Sequence, residues 1–112
     1  MGVVAAAIRR FDVYLVNLDP TMGSEIQKTR PCAVLSPDEM NRNVRTLIIA
    51  PMTMRGYAYP SRVDCQFQGR RGRIVLDQMR AVDRRRLVRR MGQLDEPAQN
   101  AVLAALQRMF AR

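Results

Sequence analysis

Five short apolar runs, each closed by proline, glycine, asparagine or serine, restrict what this chain can fold into. "FDVYLVNL" (11–18) alternates as a strand does, and "PCAVLS" (31–36) and "TLIIAPMT" (46–53) are apolar and partly β-branched, so both read as buried strands. "SRVDCQF" (61–67) sets Val63, Cys65 and Phe67 on one face, "GRRG" (69–72) reads as a charged turn, and "RIVLDQMRAV" (73–82) opens a further strand. Short strands at this spacing predict a small barrel or curled sheet. A length of 112 residues allows one domain, 1–112, with a modest core.

The second half changes character. "DRRRLVRRMG" starts on Asp83 as an N-cap and stops at Gly92, which predicts a short basic helix. In "LDEPAQNAVLAALQRMFAR" Asp95 caps, Pro97 falls in the first turn, and Val102, Leu106, Met109 and Phe110 recur at helical spacing. That stripe is expected to be core or dimer contact. The fold class is therefore mainly β with appended helices (α+β), ending in an amphipathic helix. Residues 1–10 read as a poorly ordered extension, and "VVAAAI" (3–8) is too short for a signal-peptide core or a spanning helix, so a soluble, cytoplasmic protein is expected.

Charge points to the partner. Nineteen Lys plus Arg against ten Asp plus Glu give a net charge of +9, which favours nucleic acid first, an acidic protein second and a membrane surface third. The chain has no histidine, so Ser-His, Cys-His and paired-imidazole chemistry is excluded, and catalysis would run on carboxylates, hydroxyls and guanidinium groups. Cys32 and Cys65 stand alone at wide spacing, which argues against structural zinc and against a disulfide scaffold. No metal and no cofactor are expected.

The loop "GSEIQKTRP" (23–31) carries more chemistry than a connection needs. Arg30, extended before Pro31, could bind a phosphate bidentately and stabilise charge developing on phosphorus, although on residue type alone a solvated strand-end arginine is the commoner occupant. Glu25 could serve as a base, and Thr53 in "PMT" could hold a phosphate oxygen instead of a backbone group. As neighbours on a strand, Asp77 and Gln78 would face opposite sides, one structural and one available to a site. The arginines at 84, 85, 86, 89 and 90 fit a solvated face or a phosphate-tracking surface equally, and Tyr57 and Tyr59 in "RGYAYPSR" could stack on single-stranded bases or pack on the barrel end.

Taken in order, "DVYLVNLDPTMGSEIQKTRPCAVLSP", "IIAPMT", "YPSRV", "VLDQMRAVDRRRL" and "MGQL" resemble the MazF/PemK/Kid family of toxins from bacterial toxin–antitoxin systems, over residues 11 to 110. The resemblance implies an SH3-like barrel and a homodimer. It also implies a metal-independent endoribonuclease that cuts single-stranded RNA, with mRNA as the expected target, by attack of the ribose 2'-hydroxyl, and an acidic antitoxin that covers the loops. Matched by motif, Arg30, Thr53 and Glu25 become the catalytic candidates. Gly23, Ser24, Lys28 and Thr29 of the same loop, with Gln78, Arg55 and Tyr57, become the candidate RNA contacts. One departure is Val75, which stands where the Kid-like branch has an arginine of a catalytic Arg-Asp pair, so Asp77 is expected to be structural. Two alternatives compete: a CcdB-like gyrase poison, whose C-terminal tryptophan motif is missing from "RMFAR", and a non-catalytic nucleic-acid-binding module.

Overall fold

The third strand organises the molecule, because it is long enough to pair with different partners along its length. In the computed structural model, which describes residues 7–54 and 57–112, the order is β1 (Asp12–Asn17), β2 (Thr29–Val34), α1 (Asp38–Asn43), β3 (Thr46–Thr53), β4 (Arg62–Phe67), β5 (Arg70–Val75), β6 (Arg80–Asp83), β7 (Leu87–Gln93) and α2 (Glu96–Phe110). The antiparallel sheet runs β4-β5-β3-β2-β1-β7, and β6 pairs with the first half of β3. One edge of β3 meets β2, with Cys32 opposite Pro51 and Ala33 opposite Ala50. The other meets β6 at Thr46–Ile49 and then β5, with Met52 opposite Ile74 and Thr53 opposite Arg73. That handover curls the sheet into the expected small barrel.

Side chains alternate across the curled sheet, and each face has its own core. Val13, Ala33, Ala50 and Met52 pack with Val63, Ile74 and Leu76, and with Ala98, Val102 and Ala105 of α2. The intervening residues Tyr14, Cys32, Val34, Leu47 and Ile49 pack with Val82 and Leu87 on the other side. Two-sided burial is why residues 31–36 and 46–53 read as unbroken apolar runs. Helix α2 starts as its sequence indicates, with Asp95 Oδ1 accepting the Ala98 N–H at 3.0 Å and Pro97 in the first turn. Its buried stripe is Ala98, Val102 and Ala105, flanked by Leu106 and Met109, while Phe110 stays exposed.

Three local expectations are corrected. The basic helix over 83–92 does not form. A single 3-10 turn, Arg84–Arg86, is capped by Asp83, and Leu87–Gln93 continues as β7 along the free edge of β1. Sheet pairing outweighs helical propensity here: Leu87 enters the second core, and Arg90 Nη2 reaches the buried Asp12 carboxylate at 3.1 Å. Gly92 is therefore no helix stop. A Cβ there would lie 3.1 Å from Phe67 Cζ, so the bare backbone lets that ring cover the strand. The expected strand over 73–82 is also broken, by a 3-10 turn at Leu76–Gln78, so Asp77 and Gln78 do not alternate as strand neighbours.

Helix α1 has no counterpart in the strand reading; its signals are Pro37 at the N-cap with Asp38 and Glu39 in the first turn. Buried Asn41 holds it to the sheet, accepting from Ser36 Oγ at 2.6 Å and donating to the Ser36 carbonyl at 2.9 Å. Of the expected N-terminal extension, residues 1–6 lie outside the described residues. Ile8 is buried in the second core and the Arg10 Nε donates to the Leu35 carbonyl at 2.9 Å. Among the described residues, no helix is long and apolar enough to cross a membrane.

Candidate functional site

The start of β2 and the end of β3 converge on one cleft. Extending the Cys32–Pro51 pairing by two residues along each antiparallel strand brings Arg30 level with Thr53, and both line an open cavity of about 590 Å³. Arg30 is exposed, and its Nε donates to the Gln27 carbonyl at 3.2 Å. Its terminal guanidinium nitrogens have no protein partner among the described residues, so the fork remains available for two oxygens of a phosphate. Thr53 is half-buried beneath. A Cβ on Gly72 would lie 3.1 Å from the Thr53 carbonyl oxygen, so the absence of a side chain lets β5 approach β3 closely at this point.

The opposite wall comes from the β4–β5 hairpin and β7. Phe67, Gln68, Arg70, Arg71 and Met91 supply two cations, an amide and an apolar surface. Sequence reasoning missed these residues as a site. Their signal was "GRRG", read as a charged turn; the turn is Gln68–Gly69, and Arg70–Gly72 already form β5, which carries both arginines to the cleft.

The loop Leu18–Lys28 stands beside the cleft and is closely tied. At its base the Leu18 N–H donates to the Lys28 carbonyl at 2.9 Å, and the Lys28 N–H to Asp19 Oδ1 at 2.9 Å. Glu25 closes the turn at the tip: its N–H donates to the Met22 carbonyl at 3.0 Å, and its Oε1 accepts the Met22 N–H at 2.7 Å. Ile26 packs on the second core, and its N–H donates to Gln78 Oε1 at 2.7 Å, while Gln78 Nε2 donates to the Ser24 carbonyl at 3.3 Å. Gly23, Ser24, Lys28 and Thr29 are exposed, and Thr29 pairs with Asn17. None of these loop residues, nor Glu25 or Gln78, lines the cleft itself. Tyr57 is exposed on the connection before β4, and Arg55 lies outside the described residues.

The arginine run is largely absorbed by the fold. Arg84 Nη2 donates to the Asn41 and Val44 carbonyls, Arg85 pairs with Asp83, and Arg86 Nη1 donates to the Asn17 and Asp19 carbonyls. With Arg90 on Asp12, only Arg89 of the five has a side chain with no protein partner among the described residues.

Asp77 and the two thiols are absorbed by the fold. Asp77 takes Arg62 bidentately at 3.1 and 3.2 Å and accepts from Ser61 Oγ at 2.9 Å, and the Arg62 hydrogen bonds hold its carboxyl below the usual range. Cys65 borders the cleft, but burial first, then Asp95 and Asp64, push its thiol up to about 11, far from a neutral-pH nucleophile. Burial pushes Cys32 up to about 12. Among the described residues, no group of three or more carboxylates and thiols converges to hold a metal ion.

Comparison with known proteins places this geometry in a lineage. The model of the PemK-like, MazF-like toxins of type II toxin–antitoxin systems matches residues 9–110. Endoribonuclease EndoA of Bacillus subtilis is 35% identical over 106 residues, covering 89% of this chain and 91% of that protein. The crystal structure of MazF from Deinococcus radiodurans superposes with a TM-score of 0.82 at 24% identity, covering 95% of this chain and 98% of that one. A mycobacterial endoribonuclease in complex with its cognate antitoxin superposes with a TM-score of 0.77 at 18% identity, covering 91% and 93%. The last two likenesses concern the fold; the family match and the EndoA identity concern descent, and by them this chain belongs to the PemK-like, MazF-like toxin family of type II toxin–antitoxin systems.

Proposed function

We propose that the chain is an endoribonuclease toxin that cuts single-stranded RNA, probed most simply as mRNA, in the cleft between Arg30 and the β4–β5 hairpin. The observation that carries this reading is the shared cleft of Arg30 and Thr53, with the terminal nitrogens of Arg30 unengaged among the described residues, in a chain whose relative EndoA is named an endoribonuclease. In the proposed reaction the ribose 2'-oxygen attacks the adjacent phosphorus, and the bond from phosphorus to the 5'-oxygen breaks. The products are a 2',3'-cyclic phosphate and a 5'-hydroxyl. Since the substrate supplies the nucleophile, neither an activated water nor a metal ion is required.

Arg30 then stabilises the charge that develops on the non-bridging oxygens, and Thr53 fixes one of them. Glu25 is the proposed acceptor of the 2'-hydroxyl proton. Its carboxylate holds the loop turn through Oε1, leaving the second oxygen for that proton. The departing 5'-oxygen takes a proton from solvent, which the open cleft admits. Gly23, Ser24, Lys28 and Thr29 flank the path of the RNA, with Tyr57 before β4 and, by motif, Arg55 as further contacts.

The partner of the mycobacterial relative suggests one for this chain: an acidic antitoxin drawn to the +9 surface and covering the loops. A homodimer belongs to the same proposal and would elute at about twice 12.8 kDa. The test of the activity is cleavage of a long single-stranded RNA in EDTA. Arg30→Ala should lower the rate by about 10²- to 10³-fold, the loss typical of one transition-state donor. An unchanged rate in that variant would refute the assignment.

A further inference from the structure

We propose that Gln78 is a positioning residue, the tip of a clamp that locks the loop Leu18–Lys28 in its working conformation before any RNA arrives. The segment Gln78–Arg86 reaches across to this loop at three places. Arg80 Nη1 donates to the Leu18 carbonyl at 3.1 Å, and Arg86 Nη1 donates to the Asn17 carbonyl at 3.1 Å and to the Asp19 carbonyl. Gln78 engages the far side, accepting the Ile26 N–H at 2.7 Å and donating to the Ser24 carbonyl at 3.3 Å.

Every group held on the loop is backbone, so the clamp fixes its course without occupying the side chains that would meet a substrate. Ile26, packed on the second core, adds the apolar anchor beneath. A primary amide reads a base through one carbonyl and one amino group. One lone pair and one N–H of Gln78 are already committed to loop backbone, which fixes the amide's orientation against the loop that carries Glu25 and leads into Arg30 and makes holding that loop its primary role. Holding that loop in place keeps the reacting groups aimed as the transition state forms, without adding a contact to the bound RNA. The catalytic consequence rests on the ribonuclease reading; the clamp itself does not.

The test uses the full chain without RNA first. Amide exchange at Ile26, and trypsin cleavage after Lys28, are compared in the wild type, in Gln78→Met, which keeps length without hydrogen bonding, and in Gln78→Glu, which keeps the acceptor for Ile26. Gln78→Met should lose Ile26 protection by about five- to tenfold, the worth of one or two hydrogen bonds, and expose Lys28 to trypsin. Gln78→Glu should restore most of the Ile26 protection, and Arg86→Met should loosen the same loop from its base.

On an RNA oligonucleotide, Gln78→Met should lower kcat by about tenfold or more while KM and the preferred cleavage sequence stay unchanged. Unchanged Ile26 protection in Gln78→Met would overturn the clamp. So would a raised KM or a relaxed base preference with kcat intact, because that marks a direct contact with RNA. A chain that cleaves no RNA would sink the ribonuclease reading and leave the exchange comparison to decide the clamp.

Discussion

Tyr14→Phe should stabilise the protein, against the usual direction for a core substitution. Tyr14 lies at the centre of β1 with no exposed surface, and its hydroxyl has no hydrogen-bond partner among the described residues. A buried, unpaired hydroxyl costs about 1 to 3 kcal/mol relative to water. Removing one oxygen leaves a gap of roughly 10 to 15 Å³, worth only about 0.3 kcal/mol at the usual cavity coefficient. The balance is a gain of about 1 to 2 kcal/mol, or a rise in Tm of about 4 to 8 °C for a domain of this size. Urea unfolding should move to a higher midpoint with unchanged slope.

A pH series adds an internal check. Burial first, then Asp12, raise the Tyr14 phenol above its ordinary value of 10.0, so only the unfolded wild-type chain ionises as pH passes 10. Both proteins lose stability at high pH because Cys32 and Cys65 also ionise first in the unfolded chain, but only wild type has the added Tyr14 loss, so the gap between them should be flat from pH 6 to 9 and widen above 10. A Phe variant less stable by about 0.5 kcal/mol or more would show that the hydroxyl is satisfied, and would refute the reasoning.

Two further perturbations probe the architecture around the cleft. Asp77→Asn breaks the bidentate pair with Arg62; with the Asp77 side chain about 35% exposed, the loss at pH 7 should be about 1 kcal/mol. The folded Asp77 carboxyl titrates below its unfolded value, so this contribution is present above about pH 4 and is lost as pH falls through the folded value. Urea melts at pH 7, 5, 4 and 3 should show wild type and variant converging; a constant difference down to pH 3 would contradict the pairing. Gly72→Ala places a methyl 3.1 Å from the Thr53 carbonyl oxygen, which must shift by a few tenths of an ångström. RNA cleavage should fall by about tenfold or more with a melting temperature within a few degrees of wild type, and full activity would show that Thr53 has no positional role.

The β framework was legible because both burial patterns were local: alternation in "FDVYLVNL" and "SRVDCQF", and unbroken runs at 31–36 and 46–53 where two cores meet one strand. The arginine-rich segment misled because nothing local announces that β1 has an open edge needing a partner. Leu87–Gln93 became a strand through that pairing and through the buried Asp12, both distant in sequence. Arg30 and Thr53 were found as motif matches, and their shared cleft is a product of the β2–β3 register. The facing wall of Phe67, Arg70 and Arg71 stayed invisible for a physical reason: it becomes part of a site only when the barrel curls a hairpin back over β2. Gln78 illustrates the same limit, since its bonds to Ile26 and Ser24 span 52 and 54 residues of sequence.

The central claim is chemical, that the ribose 2'-hydroxyl of the substrate is the nucleophile in the Arg30 cleft. The most direct measurement takes an RNA oligonucleotide cleaved at one site by the purified chain in EDTA, and a second copy with a single 2'-deoxy nucleotide immediately 5' of the scissile phosphate, and maps the ends by mass spectrometry. The account requires a 2',3'-cyclic phosphate and a 5'-hydroxyl from the first and no cut at that position in the second. Cleavage of the deoxy substrate at the same phosphate, or fragments carrying a 5'-phosphate, would contradict it.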